Sequence, residues 1–468
     1  DGRYAFIAIG MLSLIAVMVP LLAKRRFDPF EPIVPFAFTI LMGCTLRALA
    51  LAFSGPDNHK VWVLTNNVPL GELAAYSYWV PVSLLLFSLG YMCTRRRLPI
   101  EHLSGVVATR WDRTTMILAA AAFVAVSLVA TVKLGGSTGV DLSNLLAVSR
   151  KRAVEVATSS GDIVYARHGY LLWLTSLAKV ALFVLFVDVI ASEKPWRQRS
   201  LLARVLISVA LVLLSLVVII WPLISSSRSG VLEVFFGMVI LITYLGFRGS
   251  ARQRKRKFIR LGTVGVVFAF TLLAVVGVWR QFSQTGGILD ISPTQALINN
   301  SVASGNFMPM ARTGLIAKEM SGRHDWFYGE SYLNTIFAPI PRAAWPDKPT
   351  ISVGLYVKSE IYGRPTTTNG SPPGLLGEAF LNFSYLGILI VPIFAGMVLR
   401  VVYNSFSPFL GTAKGATVIY ALLLWPIGFQ YAELNLTQIV IGVVTAVLPG
   451  FVMCALIAKR APARSLAC

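Results

Sequence analysis

Charged and metal-binding residues are scarce in this sequence. Only 13% of its 468 residues are charged, and it has four histidines and four cysteines. The cysteines lie in or beside apolar segments, without the paired spacing of a zinc site or a disulfide framework. We also find no acidic pair of the kind that metal-dependent sugar transferases use. We therefore expect no metal cofactor.

Tandem repeats and low-complexity stretches are also lacking, so the inverted repeats of many transporters gain no support here. The chain instead contains long apolar runs. Hydrophobic residues make up 56% of it, and runs of about 20 apolar residues, the length that an α-helix needs to cross a bilayer, recur along it. This composition excludes an ordinary soluble domain.

Eleven apolar segments are predicted to cross the bilayer. We expect helices, because an open strand cannot satisfy its backbone in lipid. The segments are residues 4–23, 33–53, 73–93, 115–134, 169–191, 201–224, 231–247, 259–279, 375–399, 416–431 and 439–458. The tenth is the shortest. The fold class that follows is an all-α polytopic membrane protein.

The distribution of positive charge along the chain predicts how the protein is oriented in the membrane, and it does not indicate nucleic-acid binding. The formal net charge is +21, and most Lys and Arg residues lie in short clusters in alternate loops. Such clusters mark the cytoplasmic side. The C-terminus is then cytoplasmic and Asp1 lies outside; because Asp1 is not a methionine, a preceding signal or helix stays open.

We predict three regions in the chain. Residues 1–279 hold eight spans and an outer loop, 135–168; residues 280–374 form a large extracytoplasmic loop; residues 375–468 hold three spans and the cytoplasmic C-terminus. A loop this long is usually functional or disordered. Its many aromatic residues favour an ordered, functional loop.

Two cationic positions lie on the predicted outer side. Arg150 belongs to segment 142–156, which is either an interfacial amphipathic segment or a clamp for a diphosphate. Arg228 lies in the tight turn SSSRSG, where small neighbours leave room for a ligand oxygen. Its alternative role is an ion pair with Glu233.

The stretch PRAAWPDKP, residues 341–349, presents cations, an acid and an aromatic ring on a stiff proline scaffold. Arg342 and Lys348 can neutralise a diphosphate, and Trp345 can stack on a sugar. The alternative is a rigid surface loop in which these residues only pack. We expect Asp347 in this stretch, and Arg280 at the start of the long loop, to contact glycan.

Glu378 is the candidate general base. It lies at the outer end of the ninth span, and Asn382, one helical turn away on the same face, is expected to contact glycan. Alternatively, Glu378 is an acid that complements a helix N-terminus. The reserve candidates for the base are Asp325, Glu330, Asp347 and His324.

The motifs PRAAWPDKP and GEAFLNFSYLG resemble the O-antigen polymerases, the Wzy-type polymerases of bacterial surface polysaccharides. The resemblance implies a fold similar to that of the O-antigen ligases and of the C-type (GT-C) glycosyltransferases. It implies en bloc transfer of a glycan from undecaprenyl diphosphate to a sugar hydroxyl of another lipid-linked repeat unit. The reaction would run with inversion, without metal or nucleotide sugar, on the outer face of the cytoplasmic membrane.

When the family's roles are carried over by position, the resemblance implies that Arg228, Arg342 and Lys348 hold the diphosphate and that Glu378 is the base. Arg150 and Gly161 also have the ten-residue separation that some polymerases carry in outer loops. A chain-length regulator protein is an expected partner of this family. The alternatives are a ligase that moves finished glycan to another acceptor, and a transporter or flippase of lipid-linked glycan.

Overall fold

The computed structural model of the chain is almost entirely helical. The residues that it describes are 2–23, 27–53, 66–108, 110–137, 169–192, 198, 200–224, 228–246, 271, 308–323, 325–340, 344–345, 353–364 and 370–459. Within these residues every regular element is a helix, and β-structure is limited to one isolated bridge between Trp111 and Ala458.

Thirteen helices make up most of the described residues. In chain order they are α1 (Gly2–Leu22), α2 (Ile33–Phe53), α3 (Leu70–Cys93), α4 (Arg113–Lys133), α5 (Trp173–Ile190), α6 (Leu201–Ile219), α7 (Ser229–Gly246), α8 (Pro309–Met320), α9 (Glu330–Asn334), α10 (Val353–Tyr356), α11 (Gly374–Phe406), α12 (Lys414–Phe429) and α13 (Leu436–Ile457). Nine of them, α1 to α7, α11 and α13, are long and apolar enough to cross a membrane.

These helices confirm the predicted class, an all-α polytopic membrane protein. Nine predicted spans correspond to the nine long helices, and the short tenth prediction, 416–431, corresponds to the shorter apolar helix α12. The eighth prediction, 259–279, lies outside the described residues. The orientation inferred from the positive clusters stays a prediction.

The chain divides into two compact units, each assembled from separate stretches of sequence. The first contains Asp1–Arg97, Phe270–Asn404 and Pro426–Gly442. The second contains Leu98–Ala269, Ser405–Trp425 and Val443–Cys468. Helices α8 to α10, the first part of α11 and the start of α13 all belong to the first unit, which carries the candidate site.

Glycines let α3 and α11 approach closely in the first unit. A Cβ atom added at Gly90 would lie 2.1 Å from the carbonyl oxygen of Ile393, and one added at Gly396 would lie 2.0 Å from that of Phe87. Small residues at such crossings allow close backbone packing between membrane helices. The contact fixes α11 against α3.

A buried carboxylate secures the far end of α11. Glu31 is 2% exposed and accepts a hydrogen bond from the Nη1 atom of Arg400 at 2.7 Å and another from the hydroxyl of Tyr91. Close by, the hydroxyl of Tyr403 donates to Asp28 at 2.7 Å. These bonds tie the segment before α2 to α3 and α11.

Ion pairs also join helices within the second unit. Glu233 of α7 pairs with Lys179 of α5. Asp188 of α5 lies 3.5 Å from Arg113 and 3.6 Å from Lys414. Charges inside a membrane protein are costly unless they are paired, so these pairs define which helices are neighbours.

Replacing Glu31 with Ala should lower the free energy of unfolding by on the order of 3 kcal/mol, because Arg400 and Tyr91 lose a buried acceptor. Thermal unfolding of the purified protein in detergent measures the loss. The matched control is Glu360→Ala, whose ion pair with Arg323 is exposed and should cost below about 1 kcal/mol. Equal losses in the two variants would contradict the assignment.

Candidate functional site

The candidate site surrounds an interruption between α12 and α13. Residues 430–435 are not helical, and they lie against the first turn of α11. The amide of Leu375 donates to the carbonyl oxygen of Ala432 at 3.3 Å. Gly374 has φ +76°, and a Cβ added there would lie 2.5 Å from the same oxygen. Only glycine fits this approach, so Gly374 permits the start of α11 to meet the interruption.

The carboxylate of Glu378 lies at the centre of the site. The residue is 2% exposed. Its Oε1 accepts a hydrogen bond from the hydroxyl of Ser331 at 2.9 Å, and its Oε2 accepts one from the backbone amide of Leu436 at 2.7 Å. Leu436 is the first residue of α13, so Glu378 accepts from the N-terminus of a helix other than its own.

Asn382 completes the network one turn along α11. It is fully buried, and its Nδ2 donates to the Ser331 hydroxyl at 2.7 Å and to the carbonyl oxygen of Glu378 at 2.8 Å. Its Oδ1 accepts from the amide of Gly329 at 3.0 Å. The hydroxyls of Thr335 and Thr437 lie 2.8 Å apart. The segment around α9 is thereby attached to both α11 and α13.

A kink separates the part of α11 that carries these residues from the rest of the helix. Phe383 and Ser384 have non-helical torsion angles, and Ser384 has φ +55°. Beyond the kink, a Cβ added at Gly387 would lie 1.9 Å from the carbonyl oxygen of Ala379. Glu378 and Asn382 therefore belong to a short helical section that ends just after them.

Several polar atoms beside this network are buried and lack hydrogen-bond partners among the described residues. They are the Tyr332 hydroxyl, Oε1 of Glu433 and Oδ1 of Asn435. Burial, followed by the charge of Glu378, raises the pKa values of Tyr332 and Tyr431 well above the usual range, which places both phenols near that carboxylate. Unsatisfied buried polar atoms are rare in folded proteins, so we expect water or ligand groups to satisfy these three.

A second buried carboxylate, Glu433, lies on the same interruption. Its Oε2 is 3.3 Å from the Nη1 of Arg312, which also donates to the Glu433 carbonyl oxygen at 3.2 Å. Arg312 is 2% exposed and Arg47 is fully buried. Burial raises the pKa of Glu433 to about 7, and Arg312 opposes that shift. The interruption thus carries a buried charge cluster beside the Glu378 network.

Only some of the site residues predicted from the sequence lie in the Glu378 network; others lie elsewhere or outside the described residues. Glu378 and Asn382 are brought together in one network. Trp345 is half-exposed with its ring 5.5 Å from that of Phe337, whereas Asp325 accepts from Tyr356 at 3.0 Å and Glu330 is exposed. Arg228 begins the helix that contains α7, and its side chain is not described. The residues outside the described part are Arg150, Gly161, Arg280, His324, Arg342, Asp347 and Lys348.

Sequence reasoning missed Ser331, Thr335, Arg312 and Glu433. Glu433 had a detectable signal, since it is a single acid between two apolar runs. Ser331 and Thr335 had a weaker one, because their i, i+4 spacing puts two hydroxyls on one helical face. The backbone amide of Leu436 had none.

Fold and site together define a polytopic α-helical membrane protein with a buried carboxylate bound at a helix N-terminus. Over 184 residues the chain is 24% identical to the O-antigen polymerases of Salmonella typhimurium and Salmonella typhi. The match covers 38% of this chain and 40% of each relative, so it spans less than half the length of these curated proteins. No protein-family model matches the chain, and no solved structure matches it significantly.

Replacing Ser331 with Ala should destabilise the protein by about 2 kcal/mol, because a buried carboxylate loses a donor and Asn382 loses an acceptor. Detergent unfolding curves measure this loss. Ser321→Ala is the control, because that exposed hydroxyl bonds only to the Ala317 carbonyl of its own helix. A Ser331 variant as stable as the control would show that the network does not hold the site.

Glu433 predicts a pH dependence of stability. Its pKa in the folded state is raised from about 4.5 to about 7, so between these values the folded state holds a proton that the unfolded state has lost. Stability should therefore fall as pH rises from about 5 to about 7. Glu433→Gln should make this part of the curve less steep, and Glu360→Gln should leave it unchanged. An unchanged slope in Glu433→Gln would exclude Glu433 as its source.

Proposed function

We propose that this chain polymerises lipid-diphosphate-linked oligosaccharide repeat units into a bacterial surface polysaccharide such as an O-antigen, capsule or exopolysaccharide. The similarity to two O-antigen polymerases supports this function. A polytopic helical protein also suits a substrate whose lipid tail stays in the bilayer while its glycan is outside. We place the protein in the cytoplasmic membrane with its site on the outer face, and undecaprenyl diphosphate as the carrier.

The proposed reaction is a displacement at the anomeric carbon of the donor glycan. A hydroxyl oxygen of the acceptor repeat unit forms a bond to that carbon as the bond to the diphosphate oxygen breaks. The lipid diphosphate leaves with the electron pair, and the hydroxyl proton passes to a carboxylate. Attack opposite the leaving group inverts the anomeric configuration. Neither a metal ion nor a nucleotide sugar takes part in this scheme.

The observation that supports the proposal most directly is the environment of Glu378. Each of its carboxylate oxygens accepts one hydrogen bond, from Ser331 and from Leu436. A carboxylate has about four acceptor positions, so capacity remains for the proton of a sugar hydroxyl. The two donors also fix its orientation, which is what general-base catalysis by positioning requires.

Asn382 has a different proposed role from the one its position in the sequence suggests. Its amide group is committed to Gly329, Ser331 and the Glu378 backbone, and the residue is fully buried. We therefore assign it to positioning Ser331 and Glu378. For glycan contact the proposal keeps Trp345, Asp347 and Arg280, and it adds the Tyr332 hydroxyl, a buried donor near the carboxylate.

Cations are proposed to neutralise the leaving diphosphate. Arg228, Arg342, Lys348 and Arg150 are the residues that the sequence offers for this role on the outer side. Arg binds phosphate with a forked, permanently charged set of donors, and neutralising the leaving group lowers the barrier to its departure.

Replacing Glu378 with Gln should reduce polymerisation by about 10²-fold or more, since an amide cannot accept the hydroxyl proton. The measurement uses purified protein in liposomes with its lipid-linked repeat unit, and it resolves the products by size. Wild type should produce a ladder of glycan lengths. Glu360→Gln is the matched control, because that carboxylate is exposed in the long loop and has no proposed role in the reaction, and it should retain the ladder.

The same variant separates catalysis from a purely structural role. An anchoring role predicts a lower unfolding temperature for Glu378→Gln in step with its loss of activity. Catalysis predicts a loss of activity that persists at temperatures where the variant is fully folded. A ladder that survives Glu378→Gln would overturn the assignment of the base, and a wild type that attaches glycan only to another acceptor would identify a ligase.

A further inference from the structure

An exposed apolar stripe lies on the segment that begins with α9. Leu333, Ile336 and Ile340 are 65%, 71% and 38% exposed. With Phe337 they follow the spacing i, i+3, i+4, i+7, which puts side chains on one face of a helix. This stripe belongs to the long loop and is outside the helices that can span a membrane.

The opposite face of the segment is committed to the candidate site. Ser331, Thr335 and Ala338 are 6% exposed or less. The hydroxyl of Ser331 donates to Glu378, and that of Thr335 lies 2.8 Å from the hydroxyl of Thr437. The segment therefore cannot turn its apolar face inward without breaking these bonds, and the stripe stays on the surface.

These bonds also fix the depth of the stripe. Thr437 is the second residue of α13, the point at which a membrane-spanning helix begins. Glu378 likewise accepts from Leu436, the first residue of that helix. Residues 335–337 form a 3-10 helix that continues into a hydrogen-bonded turn, so the five residues from Thr335 to Ile340 span about 10 Å at a rise of about 2.0 Å per residue. The stripe thus lies close to the level at which α13 enters the hydrocarbon.

Aromatic residues stand at both ends of the stripe. Tyr328 is 74% exposed, and Trp345 is 36% exposed with its ring against that of Phe337. Tyr and Trp are enriched where a bilayer meets water, because each has an apolar body and a polar tip. The stripe is therefore bounded by the side chains that favour a membrane interface.

We propose that the segment from Tyr328 to Ile340 lies in the membrane interface, with Leu333, Ile336 and Ile340 among the lipid acyl chains. The partner is the bilayer itself, because the contact between Thr335 and Thr437 holds the stripe at the start of α13, a helix long and apolar enough to cross a membrane. An apolar helical face in such a position enters the boundary between headgroups and acyl chains. The carboxylate of Glu378 is then held at headgroup level, which is the level of a lipid-linked diphosphate.

Spin labels at single cysteines in liposome-reconstituted protein test this placement. The four native cysteines are replaced by Ser, and labels are attached at Leu333→Cys, Ile336→Cys and the control Glu330→Cys. Oxygen concentrates in the acyl region and nickel-EDDA in water. We expect the ratio of oxygen to nickel-EDDA collision rates to be several-fold higher at 333 and 336 than at 330.

Two outcomes would overturn the proposal. Faster collision with nickel-EDDA at both stripe positions would place them in water, and exclusion of both reagents would indicate a covering protein surface. If the cysteine-free protein does not fold, a photoreactive p-benzoylphenylalanine in place of Leu333 in the otherwise native chain gives a second test. Phospholipid adducts detected by mass spectrometry support the proposal, and crosslinks to protein alone contradict it.

Discussion

The carboxylate of Glu378 joins three segments that are distant in sequence. It lies on α11, accepts from Ser331 in the long loop and accepts from the first amide of α13. A helix start leaves amide groups that need acceptors, and a buried carboxylate needs donors. The Glu378 carboxylate and the first amide of α13 therefore satisfy each other, and either group would be costly to bury without this partner. The position of the loop on the membrane helices depends on this exchange, and so does the proposed chemistry.

Hydropathy predicted the membrane helices well, because crossing a bilayer demands about 20 apolar residues and leaves a long signal. The pair Glu378 and Asn382 was predictable for a similar reason, since two polar residues four apart at the start of an apolar run share a face. Their partners were not predictable. The amide of Leu436 belongs to the backbone, and Ser331 is about fifty residues away in sequence. The kink at Phe383 and Ser384 contains neither proline nor glycine, so the sequence does not predict it.

The charged residues have more roles than the distribution of Lys and Arg suggests. The sequence presents cations as markers of topology and as ligands for a diphosphate. In the described residues, Arg400, Lys179 and Arg312 are instead paired with the carboxylates Glu31, Glu233 and Glu433. Buried pairs of this kind follow from tertiary contacts between distant segments, which a single sequence does not reveal.

The central claim is that Glu378 meets the reacting hydroxyl of the acceptor at the headgroup level of the membrane. Cryo-electron microscopy of the protein in lipid nanodiscs, with an unreactive lipid-diphosphate-glycan donor analogue and an acceptor repeat unit, tests it most directly. We predict an acceptor hydroxyl oxygen within about 3.2 Å of a carboxylate oxygen of Glu378, as a general base requires. A glycan bound elsewhere, with Glu378 still closed off by Ser331 and Leu436, would contradict the account.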